Sequence, residues 1–125
     1  MQTRDQKYAI DVLKHVEEVK KVQGKAEARK YGVMCHKLPI LIHTAGLAQA
    51  LAFVESRKGP IYGIFLNDLG RTVGEEKPLA AAARTKQLND YMRLTSQVMA
   101  ALVWYKRFAQ SVLGVDVSNT DEEGV

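Results

Sequence analysis

Mostly apolar side chains recur at alternating steps of three and four residues over the last third of the chain. This spacing is typical of a helix packed along its whole length, whereas a strand would alternate with period two. Leu94, Trp104 and Phe108 widen the seam into a broad apolar face. We predict one long C-terminal helix, whose seam holds Leu88, Tyr91, Thr95, Val98, Leu102, Tyr105, Ala109 and Val112.

The N-terminal residues carry the signals of a first helix. Thr3 and Gln6 have capping-box spacing, in which each side chain can satisfy a free backbone N–H group of the other residue. Gly24 is expected to end the helix in the left-handed conformation. The inward face is predicted to hold Tyr8, Ala9, Val12, Val16 and Val19.

Pro39 marks the predicted boundary between two further helices. The residue before a proline is biased away from the helical conformation. We therefore expect Leu38 to separate a short helix over residues 26–36 from a third helix over residues 39–55. That third helix is apolar almost all round, which predicts a position at the centre of the fold.

The rest of the chain completes a helical fold. Pro60 suits the first turn of a fourth helix, residues 74–78 resemble a surface loop, and residues 79–83 favour either a short separate helix or the start of the last one. The prediction is an all-α, compact bundle of five to six helices with a long C-terminal helix. Residues 1–114 are expected to form a single domain and residues 115–125 a disordered acidic tail.

Cysteine and hydropathy content favour a cytoplasmic protein. Cys35 is the sole cysteine among 125 residues, and the N-terminal residues lack a secretory signal pattern. Residues 38–54 contain no Lys, Arg, Asp or Glu, but this segment is at the short limit for a bilayer span. We therefore expect no association with a membrane.

The net charge of +4 is unevenly distributed. Four acidic residues lie in the last ten positions, so the remaining chain has 18 basic and 10 acidic residues, a net charge of +8. Lys and Arg side chains that neutralise phosphates release condensed counterions, so this body favours a polyanionic partner. A solvated basic surface that serves solubility is an equally good interpretation of charge alone.

No group of reactive side chains has the spacing of a catalytic or metal site. Cys35 and His36 are adjacent, and adjacent helical residues do not face each other, which predicts a buried thiol beside a surface histidine. His36 and His43 lack the further ligands that zinc or calcium requires. We expect a protein that is not an enzyme and uses no metal or other cofactor.

Basic residues near element ends are candidate contacts for a polyanion. The position farthest from the C-terminal seam holds Lys86, Arg93 and Arg107, which predicts a basic line of roughly 30 Å along one helix. Other candidates, each next to an element end or to this line, are Lys37, Lys58 and Lys106.

Two long segments carry a family resemblance. Residues 37–53 have the sequence KLPILIHTAGLAQALAF, and YMRLT at 91–95 precedes WYKRFA at 104–109. With QTR at 2–4 and the pair Tyr31 and Gly32, they resemble the small helical subunit of the Cmr complex, the type III-B CRISPR RNA-guided effector. The resemblance extends from the N-terminus to about Leu113.

This resemblance implies an all-α, non-enzymatic component of a ribonucleoprotein filament that silences invading RNA. Its partners would be the other Cmr subunits, the guide RNA, the target RNA and further copies of itself, stacked beside the subunits that hold the guide. Lys37, Lys106 and Arg107 would contact phosphates, and Arg4 would add a further contact. The complete set of expected RNA-binding residues is Arg4, Lys37, Lys58, Lys86, Arg93, Lys106 and Arg107.

Two other functions stay open. A helical DNA-binding regulator would use the second and third helices as a helix-turn-helix, although the third is too apolar to lie in a major groove. An enzyme that uses Cys35 or a histidine is the remaining alternative.

Overall fold

The computed structural model describes residues 1–116 and 118, and within them it contains six α-helices and no β-strand. The predicted all-α bundle with a long C-terminal helix is confirmed. The helices are α1 (Arg4–Val22), α2 (Lys25–Ala45), α3 (Leu47–Ser56), α4 (Pro60–Val73), α5 (Leu79–Thr85) and α6 (Leu88–Ser111).

Helix α6 packs against α1, α2 and α4 and supplies much of the core. The seam is confirmed from Val98 to Ala109, but Leu88 is 70% exposed. Leu88 is the first residue of the helix, so it lies beyond the neighbours that cover the following turns. The buried residues of α6 are Leu94, Val98, Ala101, Leu102, Tyr105 and Ala109.

Helix α2 continues through Pro39, so the predicted break at Leu38 is wrong. The chain instead breaks at Gly46, whose φ of 86° is unfavourable for residues with a side chain. The N–H of Gly46 donates to the carbonyl of Ile42, and its own carbonyl accepts from the N–H of Ala50. Gly46 therefore closes α2 and opens α3.

The centre of the fold lies in the first half of α2, and the prediction of a central helix over 39–55 is wrong. Residues 31–36 are six consecutive buried positions, whereas Ile40 is 59% exposed and His43, Thr44 and Gln49 also lie at the surface. Neighbouring elements cover residues 31–36 on more than one side. Tyr31 contacts α4 through Asp68, and Gly32 lies against Val115 beyond α6.

Two glycines differ in their role at helix ends. Gly24 has an extended backbone with φ of −66° and precedes α2, so the predicted left-handed end of α1 is wrong. Helix α1 ends at Val22 with Gln23 as its capping residue, while the predicted capping box of Thr3 and Gln6 is confirmed. Gly74 is the left-handed cap, with φ of 76°, and it ends α4.

The segment after α6 folds back onto α2. Val115 is buried, and its N–H donates to the carbonyl of Ala109 at 2.9 Å. Nε2 of His36 donates to the carbonyl of Val115 at 2.8 Å. Residues 117 and 119–125 of the predicted acidic tail lie outside the described residues, and their disorder stays a prediction.

Candidate nucleic-acid interface

The exposed side of α6 presents the clearest group of predicted basic residues. Arg93, Lys106 and Arg107 are all exposed. Arg93 and Arg107 are separated by almost four helical turns, so they differ by only about 40° around the axis and by about 21 Å along it. The guanidinium of Arg107 lies 5.8 Å from the centroid of the Trp104 ring, and that of Arg93 is 3.9 Å from the carboxylate of Asp90.

Lys86 is not on this helix, so the basic line is wrong at its first member. It follows α5 as the capping residue, and α6 begins only at Leu88 after an extended Gln87. Nζ of Lys86 lies 3.2 Å from a carboxylate oxygen of Glu75. The helical period therefore does not relate Lys86 to Arg93.

The other predicted contacts lie on separate elements. Arg4 begins α1 and is exposed, with its guanidinium 3.5 Å from Asp5 and 5.5 Å from the centroid of Tyr8. Lys37 is half-buried on α2, and Lys58 is exposed in the segment that joins α3 to α4. The residues expected to bind RNA thus come from several elements, and their contact with RNA stays a prediction.

A buried polar network joins α1, α2, α4 and α6. The hydroxyl of Tyr31 donates to Asp68 at 2.7 Å, and the hydroxyls of Thr72 and Tyr105 lie 3.0 Å apart. Nδ1 of His15 is 2.9 Å from the Tyr105 hydroxyl. Helical spacing places Asp68 and Thr72 on the inward face of α4, but no local signal pairs them with residues of other helices.

Burial dominates the acid–base properties of this network. Desolvation raises the pKa of Asp68, while the Tyr31 hydrogen bond and the electrostatic interactions with His15 and Arg71 oppose that rise. Desolvation also raises the pKa of Tyr31 and of Tyr105 well above the ordinary value. The network therefore binds the helices together rather than presenting a reactive group to solvent.

The adjacent Cys35 and His36 are both buried, so the prediction of a surface His36 is wrong. The chain beyond α6 covers this histidine, since Val115 accepts a hydrogen bond from it. Burial raises the pKa of the Cys35 thiol well above its ordinary value, and a neutral thiol is a poor nucleophile. This pair is therefore unsuited to nucleophilic catalysis.

A second group of basic residues lines a cleft between the end of α3, helix α4 and the segment before α5. Its volume is about 640 Å³, and Arg57, Arg71 and Lys77 contribute to its lining. None of these three was among the predicted contacts. Each is an ordinary surface cation in its local sequence, and only the tertiary fold brings them to one cleft.

The described residues were also compared with the requirements of a metal site and of a membrane span. Among residues 1–116 and 118, no three His, Cys, Asp or Glu side chains form a group that could hold a metal ion. Within that range, no helix has both the length and the apolar character needed to cross a bilayer.

Comparison with known proteins gives consistent similarities along the chain. The family described as CRISPR-associated protein (Cas_Cmr5) matches residues 4–112. The CRISPR system Cmr subunit Cmr5 of Thermus thermophilus is 44% identical over 115 residues, which cover 90% of this chain and 98% of that protein. The crystal structure of a CRISPR-associated Cmr5 family protein from the same organism superposes with a TM-score of 0.81 at 43% identity, with the same coverage of both chains.

Proposed function

The chain belongs to the Cmr5 family of CRISPR-associated proteins, and from this premise we propose that it is the non-catalytic small subunit of a type III-B Cmr ribonucleoprotein complex. The observation that carries the proposal is the 44% identity to a Cmr subunit across 98% of that subunit's length. The partners would be the other Cmr subunits, the guide RNA and the target RNA. Copies of the protein would stack within the complex, which acts in the cytoplasm in antiviral defence.

The charge distribution supports contact with RNA backbone. Apart from the acidic last ten residues, the chain has a net charge of +8, and Arg93, Lys106 and Arg107 project from one helix into solvent. Pairing with the guide supplies sequence specificity in RNA-guided complexes, so a subunit beside the duplex needs only phosphate contacts. Dispersed lysines and arginines suit that task.

The placement of the reactive side chains supports a non-catalytic role. Cys35 lies wholly inside the bundle, and His36 donates to a backbone carbonyl there. His15 is half-buried and takes part in the network with Tyr105. Cleavage of RNA would then belong to other subunits.

Co-purification tests the assembly. A tagged copy of the full chain, isolated from its native cell, is expected to bring with it other Cmr subunits and a bound guide RNA. Recovery of the chain alone, or with proteins unrelated to CRISPR, would contradict the proposal. Deep sequencing of the bound RNA would identify it as guide.

Salt dependence tests backbone contact. With about four phosphates neutralised, the log–log plot of single-strand affinity against salt should have a slope near −3, because each contact contributes about −0.7. The double variant Lys106→Gln with Arg107→Gln should lose about 1.4 from this slope. The matched control is Lys14→Gln with Lys21→Gln, which removes the same charge from exposed positions on α1. Equal losses in both variants would show that Lys106 and Arg107 have no special role.

The alternative of a helix-turn-helix regulator is not favoured. That function requires two helices separated at Leu38, but residues 25–45 form one helix. A marked preference for duplex DNA with a defined half-site would restore that alternative.

A further inference from the structure

The cleft beside α4 is lined by residues from three elements. The segment before α4 contributes Arg57, α4 contributes Gly63 and Arg71, and the segment before α5 contributes Lys77. A Cβ atom at Gly63 would meet no atom within 4 Å, so this side of the helix is open to a ligand. The volume of about 640 Å³ lies within the ordinary range for small-molecule sites and is too small for a base-paired duplex.

The two carboxylates on the cleft wall that form ion pairs are neutralised by a residue of α5 and by the residue that caps it. Glu55 lies 3.1 Å from Arg84, and Glu75 lies 3.2 Å from Lys86. By contrast, Arg57, Arg71 and Lys77 form no salt bridge with any carboxylate in residues 1–116 and 118. With Glu76 as the remaining acid of the lining, these three cations leave the cleft net positive.

Two aromatic rings contact the Arg57 guanidinium at the edge of the cleft. The guanidinium lies 5.0 Å from the centroid of the Tyr62 ring and 5.8 Å from that of Phe53. These contacts are cation–π interactions, and the Arg57 side chain makes no hydrogen bond or salt bridge within the described residues, so its N–H groups are available to a ligand. A planar N–H fork fits two phosphate oxygens at once, and a preordered side chain loses less conformational entropy on binding.

From these observations we propose that the cleft lined by Arg57, Arg71 and Lys77 binds the phosphate backbone of a single strand of RNA. The inference rests on the proposed function and adds a site to it, because none of the three residues was among the contacts expected from the sequence. The cleft offers three cations to the phosphates of one strand. Because none of these cations forms a salt bridge within the described residues, they can neutralise phosphates without first breaking one.

Titration followed by ¹⁵N NMR tests the site in the full chain. A uridine hexanucleotide should shift the amide signals of Gly59, Gly63 and Gly70 and leave that of the core residue Val98 unchanged. Uridine monophosphate, which supplies the same phosphate group without a strand, should bind at least about tenfold more weakly. Equal binding of the monophosphate would overturn the strand assignment, as would equal competition by polyglutamate, a source of carboxylates.

Charge variants give an independent readout. The triple variant Arg57→Gln, Arg71→Gln and Lys77→Gln should bind the hexanucleotide about tenfold more weakly and lose about 2 from the log–log salt slope. Its matched control, Lys7→Gln, Lys14→Gln and Lys21→Gln, removes the same charge from α1. Arg57→Lys keeps the charge but not the planar fork, and it should bind with intermediate affinity. Circular dichroism checks that each variant is folded.

The outcomes separate the two proposals. If the triple variant binds RNA like the unmodified chain while Lys106→Gln with Arg107→Gln weakens binding, the cleft is not the site and the proposed function stands. If no variant changes RNA affinity and the chain co-purifies without guide RNA, the proposed function fails as well.

Discussion

The hydroxyl of Tyr31 donates a hydrogen bond of 2.7 Å to Oδ2 of Asp68, which joins the buried half of α2 to α4. Tyr31 is fully buried and Asp68 is 9% exposed, so water cannot readily replace the hydrogen bond. The Tyr31 ring also meets Phe65 edge to face, with centroids 5.2 Å apart. This contact therefore combines apolar packing with the satisfaction of a buried carboxylate.

Removal of the Tyr31 hydroxyl should destabilise the bundle. Tyr31→Phe keeps the ring but leaves Asp68 without its donor, and an unsatisfied buried polar group costs about 1–3 kcal/mol. Urea unfolding measures the loss in the free energy of unfolding. The control is Tyr8→Phe, because Tyr8 is buried and its hydroxyl makes no hydrogen bond within the described residues. Similar losses in both variants would show that the Tyr31–Asp68 bond has little net value.

Asp68 should make the protein less stable as pH rises. Desolvation raises its folded-state pKa, so between the unfolded value and the folded value the native protein binds more protons than the unfolded chain. The stabilisation is fully present below the unfolded value, about 3.9, and is lost as pH rises through the folded value. Each unit of difference corresponds to about 1.4 kcal/mol.

The variant Asp68→Asn isolates this effect, because its side-chain oxygen can still accept from Tyr31. The unfolding free energy of the original protein minus that of Asp68→Asn should fall as pH rises from about 3.5 to 7. Subtraction removes the titration of other carboxylates that the substitution does not disturb. A difference that rises with pH would mean that the Tyr31 hydrogen bond, His15 and Arg71 together outweigh desolvation, and that the folded-state pKa of Asp68 is lowered.

Local spacing predicted the parts of the fold that depend on one helix. The capping box at Thr3 and the inward stripe around Val12 and Val16 are properties of consecutive residues, and both are present. The predicted break at Pro39 is wrong because α2 packs against its neighbours on both sides of the proline, and this packing outweighs the local preference of the residue before it. The prediction of a surface His36 is wrong for a related reason, since the carbonyl that accepts its hydrogen bond belongs to Val115, 79 residues away.

Helical spacing likewise predicts only part of the candidate interface. The exposure of Arg93 and Arg107 follows from their distance from the α6 seam, and the pairing of Arg93 with Asp90 is a contact between residues three positions apart. The salt bridge between Lys86 and Glu75 joins the residue that caps α5 to the segment after α4, so no helical period predicts it. The cleft around Arg57 likewise requires the tertiary arrangement.

Pro39 should be a source of instability within α2. A proline in a helix interior lacks the N–H that would donate one turn back, and it costs about 3 kcal/mol relative to alanine. Proline also restricts the unfolded chain, which offsets the cost by about 0.4–1 kcal/mol. Pro39→Ala should therefore raise the unfolding free energy by about 2 kcal/mol in urea.

The control for this substitution is Pro60→Ala, since Pro60 lies in the first turn of α4, where no donor is lost. That variant should be neutral or slightly destabilised. If Pro39→Ala destabilises the protein as well, then packing of the proline ring outweighs the missing hydrogen bond.

The packing of the segment after α6 should require a glycine at position 32. A Cβ atom at this position would lie 2.8 Å from two carbon atoms of Val115, closer than packed carbon atoms approach. Gly32→Ala should therefore displace Val115 and destabilise the protein by about 1–3 kcal/mol. Gly63→Ala is the matched control, because its Cβ enters open space within a helix, and it should stabilise by up to about 1 kcal/mol.

A double variant locates the cause of that loss. Val115→Gly removes the side chain that the new methyl group would meet, so Gly32→Ala should cost less in the Val115→Gly background than in the original protein. Equal costs in the two backgrounds would place the strain elsewhere on α2.

Cys35 should react with thiol reagents only when the bundle opens. The side chain is fully buried, and burial raises the pKa of its thiol, so both access and thiolate formation are suppressed in the native state. The labelling rate with Ellman's reagent should fall at least about 10³-fold from urea to native buffer, as expected for unfolding equilibria of globular domains. The control places Val103→Cys in a Cys35→Ser background, because Val103 is 51% exposed on α6. This control should react at once in native buffer. Rapid labelling of native Cys35 would instead reveal an opening of α2 with a far smaller free energy than global unfolding.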